Sequence, residues 1–375
     1  MGQPRAGVIL PFERRILVWS QRELHTAPFR CVGYEFEDVI TGIEPGAEIV
    51  SPRPVLGPPS DSRAVRAMSR AAGLRIPSSA GYRRPRVEGD FDLFFADFQF
   101  LTDLDSLRAI PGWQARARRS VCVIEEIWAR DIPRWKSISH LLNGFDHVFL
   151  ECSGSVERLE EATRIPCSFL PPGVDALRFC PYPYPASAPR VVDVCHVGRR
   201  EAATHVPLLE ACKRGEIFYE FDSVRPEHVW DPAEHREHLA SILRRSRYVL
   251  VNPGKYNRHE ETLGQQELGF RFFEGAAAGA VMLGTYPKIE PFEQNFDWID
   301  AVIEVDAEAL LGTIENLDSD PARLDAIRRD NVKNSLMRHD WVYRWERVLK
   351  AADLPTSGAM EARKAELARR ASLMA

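Results

Sequence analysis

GFRFFEGAAAGAVMLG, residues 269–284, contains in one stretch the unit from which the fold is built. The first half predicts a short helix that Gly279 ends, and the apolar run Ala280–Leu283 that follows at once predicts a buried strand. Glu274 is the one acidic residue in the stretch. Two interpretations are open for it: its carboxylate faces solvent, or it faces a cleft and binds hydroxyl groups.

The same alternation of apolar runs and helical segments extends over most of the chain. It predicts an α/β protein whose parallel sheets are covered by helices on both faces. The predicted strands are 15–20, 47–51, 91–97, 120–125 and 147–151 in the first half, and 191–198, 216–221, 247–252, 280–284 and 301–305 in the second.

Two Rossmann-like domains facing each other across a cleft follow from this division. Residues 169–190 separate the two sets of strands and contain six prolines, which cannot lie inside a sheet and favour an extended linker. The predicted parts are a first, acceptor-side domain (1–170), the linker (171–190), a nucleotide-sugar domain (191–338), a helix crossing back to the first domain (339–355) and a charged tail expected to be a frayed helix (356–375).

Composition limits the class of protein. A chain of 375 residues that is 45% hydrophobic and 27% charged is typical of a soluble two-domain protein. The net charge of −5 argues against a nucleic-acid partner, because such binders carry a basic excess. We find no apolar run of the roughly 20 residues that cross a bilayer, no signal sequence and no paired cysteine motif, so we expect a cytoplasmic protein.

Residues 52–86 form an arginine-rich region with eight arginines and one acid. Such a region is either a solvated face or a peripheral contact with an anionic acceptor or membrane surface. Both interpretations stay open.

Basic residues follow two predicted strands of the second half. Arg199 and Arg200 come directly after VCHVG (194–198), which places them at the carboxyl edge of a strand, where guanidinium groups suit phosphate. The segment 252–275 runs from another strand end through glycines into a helix whose free N–H groups attract anions. Its candidate donor-binding side chains and glycines are Lys255, Arg258, Gly264, Gly269, Arg271 and Glu274.

In the first half, IEEIWARDIPRW (124–135) also follows a strand end. Glu125, Glu126 or Asp131 could face an acceptor there, but each could equally cap a helix or face solvent. The histidines at 228, 235 and 238 lack the cysteine or carboxylate spacing of a metal site, so we expect no metal and no cofactor other than a nucleotide-sugar co-substrate.

Taken in order, four motifs resemble the donor-nucleotide domain of GT-B glycosyltransferases, in particular the retaining family 4 (group 1) type and its spore-maturation-type relatives. They are LPPGVDALRF (170–179), HVGRR (196–200), GFRFFEGAAAGAVMLG (269–284) and HDWVYRWERVL (339–349). The resemblance covers roughly residues 145–350, and the first 140 residues agree only in strand pattern.

The resemblance implies a role for each candidate residue. Glu274 would bind the nucleotide ribose, and Arg199 and Arg200 would hold the diphosphate leaving group. Gly198, Lys255, Gly269, Phe270 and Arg271 would complete the donor site. The family places a second glutamate eight positions before the ribose-binding one, near the sugar; here that position is Gln266, and Glu267 is the nearby acid assigned to the sugar.

The predicted function is therefore transfer of a sugar from a nucleotide-diphosphate sugar to an acceptor hydroxyl, with retention of configuration and without metal. The acceptor could be a saccharide, natural product, lipid or protein. Two alternatives remain: a nucleotide-sugar epimerase on the same fold, and a non-catalytic GT-B-like binding protein.

Overall fold

A computed structural model describes residues 14–54, 82–135, 139–183, 189–224 and 227–374. Most of the arginine-rich region lies outside these ranges. Among the described residues, no helix combines the length and the apolar character needed to cross a membrane.

A six-stranded parallel sheet occupies the first half of the chain, in the order β2-β1-β5-β6-β7-β8. The central strand β5 is buried at seven of its eight positions and mostly apolar, because helices cover a parallel sheet from two sides. The elements here are β1 (Ile16–Trp19), α1 (Cys31–Ile43), β2 (Ala47–Val50), the two-residue strands β3 (Arg53–Pro54) and β4 (Tyr82–Arg83), β5 (Phe91–Phe98), β6 (Ala117–Ile124), β7 (His147–Leu150), α2 (Val156–Thr163), β8 (Cys167–Phe169) and α3 (Ala176–Phe179).

A five-stranded parallel sheet occupies the second half, in the order β10-β9-β11-β12-β13. Its elements are β9 (Val192–His196), α4 (Ala202–Lys213), β10 (Tyr219–Phe221), α5 (Pro232–Arg244), β11 (Ser246–Val251), α6 (His259–Thr262), α7 (Phe270–Ala277), β12 (Val281–Gly284), α8 (Glu290–Asn295), β13 (Ile303–Glu304), α9 (Leu310–Asp318), α10 (Pro321–Arg338), α11 (Trp341–Ala351) and α12 (Gly358–Ser372). The α/β class with two parallel sheets is confirmed.

The stretch 269–284 folds as its pattern predicts. Helix α7 ends before Gly279, whose φ of 64° lies in the left-handed region that favours glycine, and β12 follows. A methyl group at Gly275 would lie 3.1 Å from the sulfur of Met282 on β12. The small residues of α7 therefore let the helix pack closely on the sheet.

Helix α11 returns to the first sheet. The indole of Trp341 stacks on Phe36 of α1 with ring centroids 4.5 Å apart, and Trp345 meets Phe95 of β5 edge-on at 5.1 Å. Trp341 and Trp345 are both fully buried. This aromatic contact joins the end of the chain to the first half.

The ten predicted strands are all present, with each end within three residues of its prediction. Pattern analysis missed β8, which is only three residues long, and the two-residue pair β3–β4. The linker is not wholly extended, because Ala176–Phe179 forms one helical turn capped by Asp175.

The charged tail is not frayed, and that expectation is wrong. Helix α12 begins after Ser357, whose hydroxyl accepts from Met360 N and donates to the carbonyl of Ile43. Met360 and Leu367 are fully buried. The prediction failed because α12 has many charged residues and only a narrow apolar stripe, which packs on the rest of the protein.

Replacing Leu367 by alanine tests this packing. Because the side chain is fully buried, we expect Leu367→Ala to lower the free energy of unfolding by about 2–5 kcal/mol in urea titrations. Leu373, which is 48% exposed, supplies the matched control: Leu373→Ala should change the value by about 0.5 kcal/mol or less. Equal small effects would mean that α12 does not pack as described.

Candidate active site in the cleft between the sheets

A cleft of about 670 Å³ lies where the carboxyl ends of the two sheets meet. This volume is within the usual range for small-molecule sites, and the carboxyl ends of parallel strands are where such sites form. One wall comes from the first half of the chain and the other from the second.

The second-half wall carries positive charge. Arg199 follows β9, and Gly198 before it has a φ of 103° that turns the chain sharply into the cleft. Lys255 lies on the loop after β11. Arg271 lies in the first turn of α7, whose N-terminus begins at Gly269 and faces the cleft without a side-chain cap. Free N–H groups and three cations therefore converge on one wall.

Lys255 bridges the two walls. Its Nζ lies 2.7 Å from Glu126 Oε1 of the first half and 3.1 Å from Glu261 Oε2 of its own half. Burial works to lower the pKa of Lys255, but hydrogen bonds to the two carboxylates outweigh it and raise the pKa. The ammonium is thus charged and already neutralised, and a bound anion would compete with these carboxylates for it.

Arg200 does not line the cleft, which corrects its pairing with Arg199. Its guanidinium packs over the ring of Phe221 at 4.9 Å and donates to the carbonyl oxygen of Asp222 at 2.5 Å. Of the two arginines, Arg199 lines the cavity and Arg200 does not.

Glu274 lies behind the cleft wall rather than on it. The side chain is 2% exposed, and its carboxylate pairs with Arg236 and, at 2.6 Å, with Arg271. These cations lower the pKa of Glu274 although burial alone would raise it. The ribose contact implied by the family resemblance stays a prediction, and it requires Arg271 to move aside.

Arg236 connects Glu274 to a second buried carboxylate, in the first half of the chain. Its guanidinium donates to Glu35 of α1, with Nε 2.9 Å from Oε2, and both side chains are buried. Glu35 also accepts from the indole of Trp341 at 3.0 Å and from Arg178 at 3.1 Å. The four residues Glu35, Arg236, Glu274 and Arg271 form the ionic chain referred to below.

Glu267 faces the first half of the chain. Its carboxylate accepts from Ser153 N at 2.7 Å, Ser153 Oγ at 2.9 Å and Gly154 N at 2.8 Å. Burial raises its pKa although these hydrogen bonds act in the opposite direction. A role for Glu267 at the sugar stays a prediction, because its oxygens are engaged in holding the two halves together.

The first-half wall is acidic. Glu125 follows β6, Glu151 follows β7, and both line the cleft together with Glu126. Burial is the main cause that raises the pKa of Glu125 and Glu151 well above the ordinary range, and neighbouring carboxyl groups add to it. Asp131, the third acid that the sequence suggested there, instead pairs with Arg130 and Arg134.

Pattern analysis missed two groups at the site. His196, at the end of β9, lines the cleft, and burial lowers its pKa to about 4, so the ring is neutral near pH 7. Asp97, near the end of β5, lies beside Glu125. Each sits at the carboxyl end of a predicted strand, and that position is the signal that identifies them.

The raised pKa of Glu125 predicts a pH dependence. The unfolded chain releases this proton near pH 4 while the folded protein keeps it, so the contribution of Glu125 to stability falls as pH rises above that value. Glu125→Gln removes this contribution. The free energy of unfolding of Glu125→Gln minus that of the wild type should therefore rise between pH 5 and pH 8, by about 1.4 kcal/mol per pH unit at most. A difference that is constant or falls with pH would contradict the assignment.

Comparisons with known proteins agree with this geometry. Residues 202–350 match a family model described as glycosyl transferase-like. No curated protein matches the chain by sequence. Solved structures match over nearly the whole chain at low sequence identity.

Three of these structures show the likeness. An alpha-glucosyltransferase in complex with UDP-glucose and DNA containing an abasic site has a TM-score of 0.53 and 12% identity, covering 91% of this chain and 99% of that one. An alpha-glucosyltransferase with UDP and a 13-mer DNA containing a HMU base gives 0.52 and 12%, covering 91% and 100%. The N-terminal domain of Candida albicans trehalose-6-phosphate phosphatase gives 0.50 and 10%, covering 93% and 98%.

The charge-based exclusion of nucleic acid as a partner is wrong. Alpha-glucosyltransferases that share this fold are in complex with DNA. An overall charge of −5 says little about one cleft wall, since a protein that is acidic overall can still present a local basic surface.

The resemblance inferred from the four motifs is confirmed at the level of the fold and of the family match. The solved alpha-glucosyltransferase covers 91% of this chain, and the match to the glycosyl transferase-like model spans residues 202–350, which include Lys255, Arg271 and Glu274. The chain has the fold of a GT-B glycosyltransferase.

Proposed function

We propose that this protein transfers a hexosyl group from a uridine diphosphate sugar to an acceptor hydroxyl, with retention of configuration and without a metal ion. The observation that carries the proposal is the cleft wall on which Arg199, Lys255, Arg271 and the N-terminus of α7 converge. UDP and UDP-glucose are the nucleotides in complex with the alpha-glucosyltransferases of similar fold.

The cations of this wall suit a diphosphate leaving group. As the bond between sugar and phosphate breaks, negative charge develops on the phosphate oxygens, and preorganised cations and N–H groups stabilise it. Lys255 exchanges its carboxylate partners for the diphosphate. Because the protein's own cations neutralise the leaving group, the reaction needs no metal ion.

The ionic chain holds Arg271 in place for this role. Its guanidinium lies 2.6 Å from the carboxylate of Glu274, which is itself held by Arg236. Glu274 is in this view a positioning residue for Arg271, and it accepts from the ribose only when Arg271 turns toward the phosphate. Glu267, which lines the same cleft, contacts the sugar of the bound donor by exchanging its hydrogen bond to Ser153 Oγ for one to a sugar hydroxyl.

Titration with UDP in the presence of EDTA tests the donor site. Lys255→Ala and Arg199→Ala should each weaken UDP binding by roughly 10- to 100-fold in isothermal titration calorimetry, because each removes a charge-assisted hydrogen bond, worth about 1.5–3 kcal/mol. The wild type should bind equally well with EDTA or with added magnesium.

Arg200→Ala is the matched control, since it removes an arginine adjacent in sequence that points away from the cleft. Its affinity for UDP should stay within about threefold of the wild type. Three results would refute the proposed donor site: no binding of UDP, binding only when metal is added, or an equal loss in all three variants.

A further inference from the structure

A small recess opens beside the acidic wall of the cleft. Gln99 and Glu125 line both the cleft and the recess, so the two are adjacent. The remaining lining residues are Gln21, Arg30, Gly33, Tyr34, Glu37 and Asp97. Its volume is about 10 Å³, which is enough for one group of the size of a water molecule.

Two carboxyl groups of the recess lie close together against the backbone of α1. A methyl group added at Gly33 would lie 2.5 Å from Glu125 Oε1 and 3.0 Å from Asp97 Oδ2. The glycine therefore lets the helix approach both groups, and any larger residue would displace them.

The cation and the other acid of the recess are already paired. Arg30 donates to both oxygens of Asp103, at 2.8 and 3.1 Å. Glu37 accepts from Arg22 at 2.7 Å. Within the described ranges, Asp97 and Glu125 have no ion-pair partner, so the recess carries uncompensated acidic groups.

The free atoms of the recess are hydrogen-bond acceptors. Among the residues that the structure describes, Asp97 Oδ1, Glu125 Oε2, Gln99 Oε1 and Gln21 Oε1 are buried without a hydrogen-bond partner. Gln99 and Gln21 are amides on separate segments, and each is more than nine-tenths buried. Buried acceptors without partners are costly, so a native occupant that donates several hydrogen bonds is expected.

We infer that this recess is an acceptor subsite that binds a protonated primary amine. An ammonium group carries one positive charge and three N–H donors and is close to water in size, which matches the paired carboxyl groups, the amide oxygens and the volume. Burial, together with repulsion from neighbouring carboxyl groups, raises the pKa of Asp97 and Glu125 well above the ordinary range, and a bound cation would act in the opposite direction. That the molecule carrying this amine is the sugar acceptor rests on the proposed function.

A matched pair of ligands tests the inference on the full-length protein without nucleotide. The probes are the 2-aminoethyl and 2-hydroxyethyl glycosides of glucose, which differ only in the terminal group. At pH 7 the wild type should bind the aminoethyl glycoside about 10- to 100-fold more tightly in isothermal titration calorimetry, as expected for charge-assisted hydrogen bonds.

Two variants test the site by different routes. The double variant Asp97→Asn Glu125→Gln keeps the shape but removes both carboxyl groups, so no carboxylate can form against the ammonium, and its preference should fall below threefold. Gly33→Ala keeps both carboxyl groups but fills the space between them, and it should lose the preference as well. Glu157→Gln, which changes an exposed acid on α2, is the control and should keep it.

Each remaining outcome overturns the inference. Equal affinity for the two glycosides, no binding of either, or a preference that survives in a folded double variant would all show that the recess does not select an amine. Because UDP is absent from this experiment, its failure leaves the donor site untouched. Conversely, a failed UDP titration would not affect the amine preference.

Discussion

A single buried carboxylate, that of Glu35, ties the two halves of the molecule together. It sits on α1 and accepts hydrogen bonds from Arg178 on α3, from Arg236 on α5 and from Trp341 on α11. An unpaired carboxylate at this depth would be strongly unfavourable, and losing one partner of such a pair typically costs about 3–5 kcal/mol. In the structure all these donors contact Glu35 together, and separating the two halves at this contact would remove several of its hydrogen bonds.

The same network reaches the cleft. Arg236 pairs with Glu274, and Glu274 pairs with Arg271 at the N-terminus of α7. Three consecutive ion pairs therefore connect Arg271, on the basic wall of the cleft, to Glu35 on α1 in the first half of the chain. On the opposite side of the cleft, Glu267 and Lys255 make cross-domain contacts of their own. The contacts between the two halves and the basic wall of the cleft therefore belong to one connected set of interactions, and carboxyl groups line the opposite wall.

Sequence patterns predicted the sheets because burial on two faces imposes long apolar runs, as in β5 and β12. They also located the basic residues Lys255 and Arg271 of the cleft, since these follow a strand end and a glycine. They could not separate Arg199 from Arg200, because the direction of a side chain after a strand depends on the exact turn, here set by Gly198.

Other features depend on residues that are distant in the chain. Glu274 pairs with Arg236, which is 38 positions away in the sequence. No local sequence pattern predicts that pairing. The acidic recess combines Asp97 and Glu125 from neighbouring strands with Gly33 from α1, so it exists only after the sheet has formed. The packing of α12 was not predicted for the same reason, since its few apolar residues are buried only by contact with residues that are distant in the chain. The net charge failed as a guide to partners because it averages over the whole surface, whereas the basic wall of the cleft is local.

The most direct test of this account is a crystal structure of the protein with UDP bound. The account predicts that the diphosphate lies at the N-terminus of α7, within hydrogen-bond distance of Arg271 and of Lys255, and that Lys255 has left Glu126. It also predicts that Arg200 still packs on Phe221. A diphosphate bound at the acidic wall, or at a site that contacts neither Lys255 nor Arg271, would contradict it.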